Sequence, residues 1–148
     1  MSATQGKIGY GVLMYRESTS DVFDDLIGEV KEVGGPNMTR DTVDATHSQS
    51  DNRFREFLSA LRDGGEVTVT VALVPGAGNT DDHKKLYDDF KNDEAVRYQI
   101  NWPNTAKTYF RFDAFLTALP HSMPMADEMT QELTFKVTGE PTLADGWA

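Results

Sequence analysis

The sequence predicts a mainly β domain, a β-sandwich or small barrel with one or two short flanking α-helices, and three observations predict it. Residues 66–74 alternate strictly, with Val67, Val69, Val71 and Leu73 on one face and Glu66, Thr68, Thr70 and Ala72 on the other. Three later segments, 96–102, 107–119 and 130–138, also read as strands. Two short segments, beginning near Asn52 and Thr80, read as helices from the spacing of their apolar residues.

Taken in order, residues 7–15 set Ile8, Tyr10, Val12 and Met14 against Gly9, Gly11 and Leu13, a strand with two close-approach glycines. Residues 22–33 are less regular. Leu26, Ile27, Val30 and Val33 fit a helix face, but Gly28 and the Gly34-Gly35-Pro36 stop favour strand. Residues 52–61 predict a helix, since Phe54, Phe57, Leu58 and Leu61 fall at i, i+3, i+4 and i+7; Ser50 or Asp51 is placed to cap it and Gly64-Gly65 to end the segment. That stripe predicts a buried Phe57. After the loop from Pro75 to Asn79, Thr80 is an N-cap candidate, with Asp81 and Asp82 in the first turn and His83, Leu86, Tyr87 and Phe90 as the apolar stripe.

In 107–119, Phe110, Phe112, Ala114, Leu116 and Ala118 alternate with Tyr109, Arg111, Asp113, Phe115 and Thr117. In 130–138, Leu133, Phe135 and Val137 alternate with Glu132, Thr134 and Lys136. Residues 139–148 offer little to bury beyond Leu143 and Trp147 and read as an exposed C-terminal arm; residues 1–6 read as an N-terminal arm. With 148 residues and no linker or internal repeat, a single domain over 1–148 is expected.

Composition narrows function. There is no cysteine, hence no disulfide framework, thiol nucleophile or thiolate metal site. No apolar run reaches the length of a membrane helix and no secretory signal opens the chain, so a soluble protein made in a cytoplasm, with no membrane partner, is expected. Asp and Glu number 24 against 14 Lys and Arg, for a net charge of −10, which disfavours tight nucleic-acid binding.

A catalytic centre does not emerge. His47, His83 and His121 lie far apart without metal-ligand spacing. Gly76-Ala77-Gly78 lacks the Lys-Ser/Thr pair of a phosphate loop, and Gly-x-Ser-x-Gly does not occur. The acid pairs Asp24-Asp25 and Asp88-Asp89 read as solvated surface, and Met123, Met125 and Met129 as loop packing around Pro120 and Pro124. No enzyme activity, metal or cofactor is expected.

Several segments in order resemble one family. Leu26-Ile27-Gly28-Glu29-Val30, Gly35-Pro36, the run from Arg40 to His47, Phe54-Arg55-Glu56-Phe57 and Leu61 to Glu66 resemble the opening of the major tail tube proteins of long-tailed, siphovirus-type bacteriophages. The run from Phe110 to Phe115, then Pro124, Asp127 and Met129, and the close from Lys136 to Leu143 are similar to the same family's ending.

The resemblance implies a phage tail tube or injection-tube fold and a structural virion protein. It implies hexameric rings of this chain stacked into the conduit for genome DNA, around a tape-measure protein, between a tail-tip or baseplate complex and a tail terminator. Assembly would take place in the host cytoplasm. It also implies that a long loop, here 41–52, and the chain termini make contacts between rings. Asp44, Thr46, His47, Ser48, Gln49 and Ser50 are the candidate assembly residues, in a polar segment expected to order on contact. Some family members add a C-terminal immunoglobulin-like domain; with Ala148 last, a smooth tube is expected.

An acidic bore would repel phosphate at short range. Glu66, Asp113 and Glu132, on the faces opposite the apolar ones, are the candidate lumen charges. Two alternatives stay open: a tube subunit of a contractile injection or secretion system, and a small-molecule-binding β-barrel.

Overall fold

The computed structural model describes residues 11–18, 20, 22–23, 25–27, 29–72 and 82–147. The strands are β1 (Leu13–Arg16), β2 (Asp25–Leu26), β3 (Glu29–Gly34), β4 (Thr39–Asp44), β5 (Phe57–Asp63), β6 (Glu66–Ala72), β7 (Val96–Asn101), β8 (Thr108–Ala118) and β9 (Thr130–Asp145); helix α1 (Asp82–Lys91) lies between β6 and β7. Seven strands form one antiparallel sheet in the order β2-β1-β7-β8-β9-β6-β3, and β4 pairs with β5 in a separate hairpin. Although β1 and β3 stand near opposite edges, they touch, so the sheet curls into a half-barrel.

Alternation decides which side chains fill the curl. Val67, Val69 and Val71 of β6 lie beside Leu133, Phe135 and Val137 of β9, then Phe112, Ala114 and Leu116 of β8, then Tyr98 and Ile100 of β7 and Met14 of β1. All are buried. Tyr98 meets Phe135 edge-on at 4.7 Å between ring centroids, an arrangement that aromatic quadrupoles favour.

Helix α1 closes the curl with Leu86, one member of the predicted stripe, and with Asp89. Tyr87 and Phe90 are exposed, and Asp89, read as surface, is buried. Three donors make that burial tolerable. Arg16 Nε and Nη2 each lie 2.7 Å from the Asp89 carboxylate, and the Tyr98 hydroxyl donates to Oδ2 at 2.9 Å. Burial, with Asp89 beside it, pushes the Tyr98 phenol well above its usual range, so it remains a donor.

Three expectations are corrected. Residues 52–61 do not form a helix. A single 3-10 turn spans Asp51–Arg53, with Asn52 and Arg53 in the left-handed region and no side-chain cap from Ser50, and the chain then enters β5. Phe57, Leu58, Ser59 and Arg62 pair with Asp44, Val43, Thr42 and Arg40. The apolar spacing is genuine but faces no core: Phe57 is 56% exposed and Leu61 83%. With no packed face to favour a helix, the β4 ladder supplies the backbone partners.

The 41–52 loop is in part strand, because β4 continues to Asp44 and the connection runs from Ala45 to Glu56. The C-terminal arm is also strand. Gly139, at φ +77°, bulges β9 so that it continues beyond, and Thr142, Leu143, Ala144 and Asp145 pair with Arg111, Phe110, Tyr109 and Thr108. Trp147 Nε1 then donates to the Trp102 carbonyl at 3.0 Å. The N-terminal arm, the Gly76-Ala77-Gly78 loop, Thr80 with Asp81, and the side chains of Asp24, Asp25 and His83 lie outside the described residues.

Candidate assembly surfaces

The hairpin tip is built by side chains bonding to backbone. Asp44 accepts from the Thr46 N–H at 2.9 Å, and the Thr46 side chain first, then this amide, holds its carboxyl below the usual carboxylate range. Thr46 Oγ1 accepts from the Glu56 N–H at 2.9 Å, across the hairpin. The Ser50 hydroxyl donates to Glu56 Oε2 at 2.6 Å and accepts from the His47 N–H at 3.1 Å. His47 Nε2 lies 3.2 Å from Glu56 Oε2, while His47 Nδ1 accepts from the Gln49 N–H. When neutral, the ring therefore carries its proton on Nε2, toward Glu56. Ser48 and Gln49 stand exposed at the turn.

Five of the six loop candidates thus meet in one network, and its hub, Glu56, is the residue that sequence reasoning missed. These polar groups find their hydrogen-bond partners within one chain. Signal for Glu56 existed in the two segments of like length, 39–44 and 57–63, that flank a polar turn.

At the hairpin base, Asp63 accepts from Lys136 Nζ and from the Gly65 N–H, both at 2.8 Å. The lysine first, then the amide, holds the Asp63 carboxyl below its usual range. Gly65, at φ +75°, packs so closely that a Cβ would strike the Asn37 carbonyl. Beyond this anchor the hairpin exposes Met38, Val43, Phe54, Phe57, Leu58 and Leu61, large apolar side chains that nothing in the described chain covers.

Glu66, Asp113 and Glu132 occupy one face of the sheet, opposite the core, and all three are exposed. Glu66 is opposite Lys136, Glu132 opposite Thr70 and Asp113 opposite Thr138. Asp113 also meets Arg97 at 3.4 Å. Threonines 68, 70, 117, 134 and 138 fill out this polar face. Toward β7 it is covered: Arg111 stacks over Phe23 at 4.3 Å and donates to Gln99, which donates to Asn101 at 2.6 Å.

No group of three or more His, Asp and Glu residues that could hold a metal ion occurs among the described residues, and no described helix is long and apolar enough to cross a membrane.

Residues 11–144 match the profile of the lambda phage tail tube proteins. The chain belongs to that family. A search of curated protein sequences finds no match. Among solved structures, the tail of an empty gene transfer agent particle with C6 symmetry is 16% identical, with a TM-score of 0.73, covering 94% of this chain and 99% of that one. The tube of an extracellular contractile injection system, in its sheath-tube complex, is 15% identical at a TM-score of 0.70, covering 96% and 93%. The SPP1 tail tube is 12% identical at 0.66, covering 94% and 79%. These likenesses show the tail tube fold, a curled antiparallel sheet with one helix.

Proposed function

We propose that this chain is the repeating subunit of a phage tail tube, polymerising as stacked hexameric rings into the conduit through which genome DNA leaves the capsid. The observation that carries the reading is the β4–β5 hairpin, anchored at Asp63 and Gly65 yet holding Phe54, Phe57, Leu58 and Leu61 out in solvent, in a chain of the tail tube family. Exposed apolar surface on that scale is stabilised by covering it, and copies of the same chain are the coverings a tube provides. The hydrogen-bonded tip around Glu56 would reach the next ring. In the tail it would enclose a tape-measure protein and meet a tip or baseplate complex at one end and a terminator at the other.

The polar face with Glu66, Asp113 and Glu132 is our candidate for the bore. Carboxylates repeated around six copies would repel phosphate at short range and hold no DNA in transit.

The tube of a contractile system shares the fold; the match to the lambda-type family favours a tail without a sheath. A ligand-binding barrel would need a cavity inside the curl, where Tyr98, Phe112 and Phe135 are packed. Concentrating the purified protein and viewing it by negative-stain microscopy tests the reading: hollow tubes of uniform width are expected, and a protein that stays monomeric at every concentration and salt overturns it.

A further inference from the structure

The hairpin gathers an unusual charge arrangement for so acidic a chain. It carries Arg40, Arg53, Arg55 and Arg62, four of the seven arginines, and none of the four forms an ion pair among the described residues. Of its five acids, Asp44 is held by Thr46, Glu56 by His47 and Ser50, and Asp63 by Lys136, while Asp41 and Asp51 form no ion pair with the arginines among the described residues. Arg40 and Arg62 are directly opposite each other across the β4–β5 ladder. Like charges in that position destabilise a strand pair unless an anion sits against both.

These two arginines line a groove of about 650 Å³ between the hairpin base and the bulge of β9, together with Met38, Leu61, Gly139 and Pro141. Asp63 and Glu140 also line it; Asp63 is held by Lys136, and Glu140 reaches neither arginine. An occupant of this groove needs apolar side chains for Met38 and Leu61 and a carboxylate for the arginines.

The β8–β9 loop has both. Met125 is fully exposed and Met123 nearly two-thirds exposed, so they are not packed in their own chain. Asp127 caps the Glu128 N–H and pairs with no cation among the described residues, while Glu128 meets Lys31 of β3. Ser122 and Thr130 close the loop's base through paired backbone hydrogen bonds of 3.0 Å. Methionines adapt readily to an irregular apolar groove.

Loop and groove cannot meet within one chain. The loop enters β9 at Thr130 and the groove lies at Gly139, nine residues along the same strand, or about 30 Å. Complementary patches at opposite ends of a molecule join copies head to tail and build rings or columns rather than closed pairs. We propose that the Arg40 and Arg62 groove of one copy receives the 123–128 loop of a second copy, Asp127 between the arginines and the methionines against Met38 and Leu61. This rests on the tail tube reading and names a contact within it.

Charge reversal and cross-linking test it together. Arg40→Glu with Arg62→Glu should leave a folded monomer by circular dichroism and raise the concentration needed for tube growth about tenfold or more; adding Asp127→Arg should restore most of the loss. Because the chain has no cysteine, Leu61→Cys and Met125→Cys variants can be mixed. Disulfide-linked pairs containing one of each should appear only when tubes form. Normal growth of the doubly reversed variant, tubes without that cross-link, or cross-linking of Leu61→Cys to itself would overturn the head-to-tail contact and leave the tube reading standing. Failure of the unmodified protein to polymerise at all would overturn both.

Discussion

The Arg16 guanidinium grips Asp89 with two hydrogen bonds of 2.7 Å, one to each carboxylate oxygen, from the second strand position from the sheet's edge to the helix that closes the core. Arg16 keeps a quarter of its side chain in solvent and Asp89 almost none. Removing Asp89 therefore leaves a cation that water can partly reclaim, and Asp89→Ala should cost about 2 to 4 kcal/mol in chemical denaturation, below the upper range for a fully buried pair. Tyr98→Phe should cost about 1 kcal/mol, since the carboxylate retains Arg16.

Two phenylalanines separate folding from assembly. Phe135→Ala should destabilise the monomer by about 3 to 5 kcal/mol, because the ring is wholly buried against Tyr98. Phe57→Ala should change monomer stability by less than about 0.5 kcal/mol and suppress tube growth. Denaturation midpoints alongside light scattering distinguish the two; a large loss of stability at Phe57 would return that ring to the core.

Glu56 is expected to set the shape of the hairpin tip. Glu56→Ala removes the acceptor shared by Ser50 and His47, so the backbone amides of His47, Gln49 and Ser50 should exchange with solvent faster while β6 and β9 stay protected. Tube growth should slow without loss of the cooperative thermal transition. Unchanged exchange at the tip would mean that the backbone turn alone holds it.

Acid should loosen the hairpin base before the core. The folded Asp63 carboxyl titrates below its ordinary value, chiefly through Lys136 and then the Gly65 amide, so its contribution is complete above about pH 4 and is lost as pH falls through the lowered folded value. NMR titration should find Asp63 below the usual aspartate range, and Lys136→Ala should bring it back up. An ordinary Asp63 titration in the unmodified protein would refute the anchor.

The proposed bore makes a genetic prediction. Glu66→Lys, Asp113→Lys and Glu132→Lys are exposed changes that leave folding within about 0.5 kcal/mol. Phage carrying one of them should assemble tails yet eject DNA poorly at low salt, with recovery as salt rises. Normal ejection by all three would place that face away from the DNA.

Much of the sheet was legible because alternation and burial coincide in it. Val67, Val69 and Val71, or Phe112, Ala114 and Leu116, declare their face by period alone. The hairpin was not legible, since Phe54, Phe57, Leu58 and Leu61 pack on no core of this chain, and periodicity cannot tell a buried stripe from an exposed one. Asp89 was misread because its partners, Arg16 and Tyr98, are 73 and 9 residues distant. The strand character of 139–145 was hidden by a glycine that bulges a strand where the pattern suggests an end. The three lumen candidates were found together on one face because a period of two assigns faces correctly even when the neighbouring strand is unknown.

β9 carries one further consequence. It spans Thr130–Asp145 without interruption, paired first with β6 and then with β8, and the proposed intersubunit contact joins its beginning in one copy to its bulge in the next. Load passed along such a column would run down one covalent strand in each subunit and strain its flanking hydrogen bonds in parallel shear, rather than unzipping them singly. A tail assembled this way would resist stretching far better than bending, the mechanical character of a flexible cable.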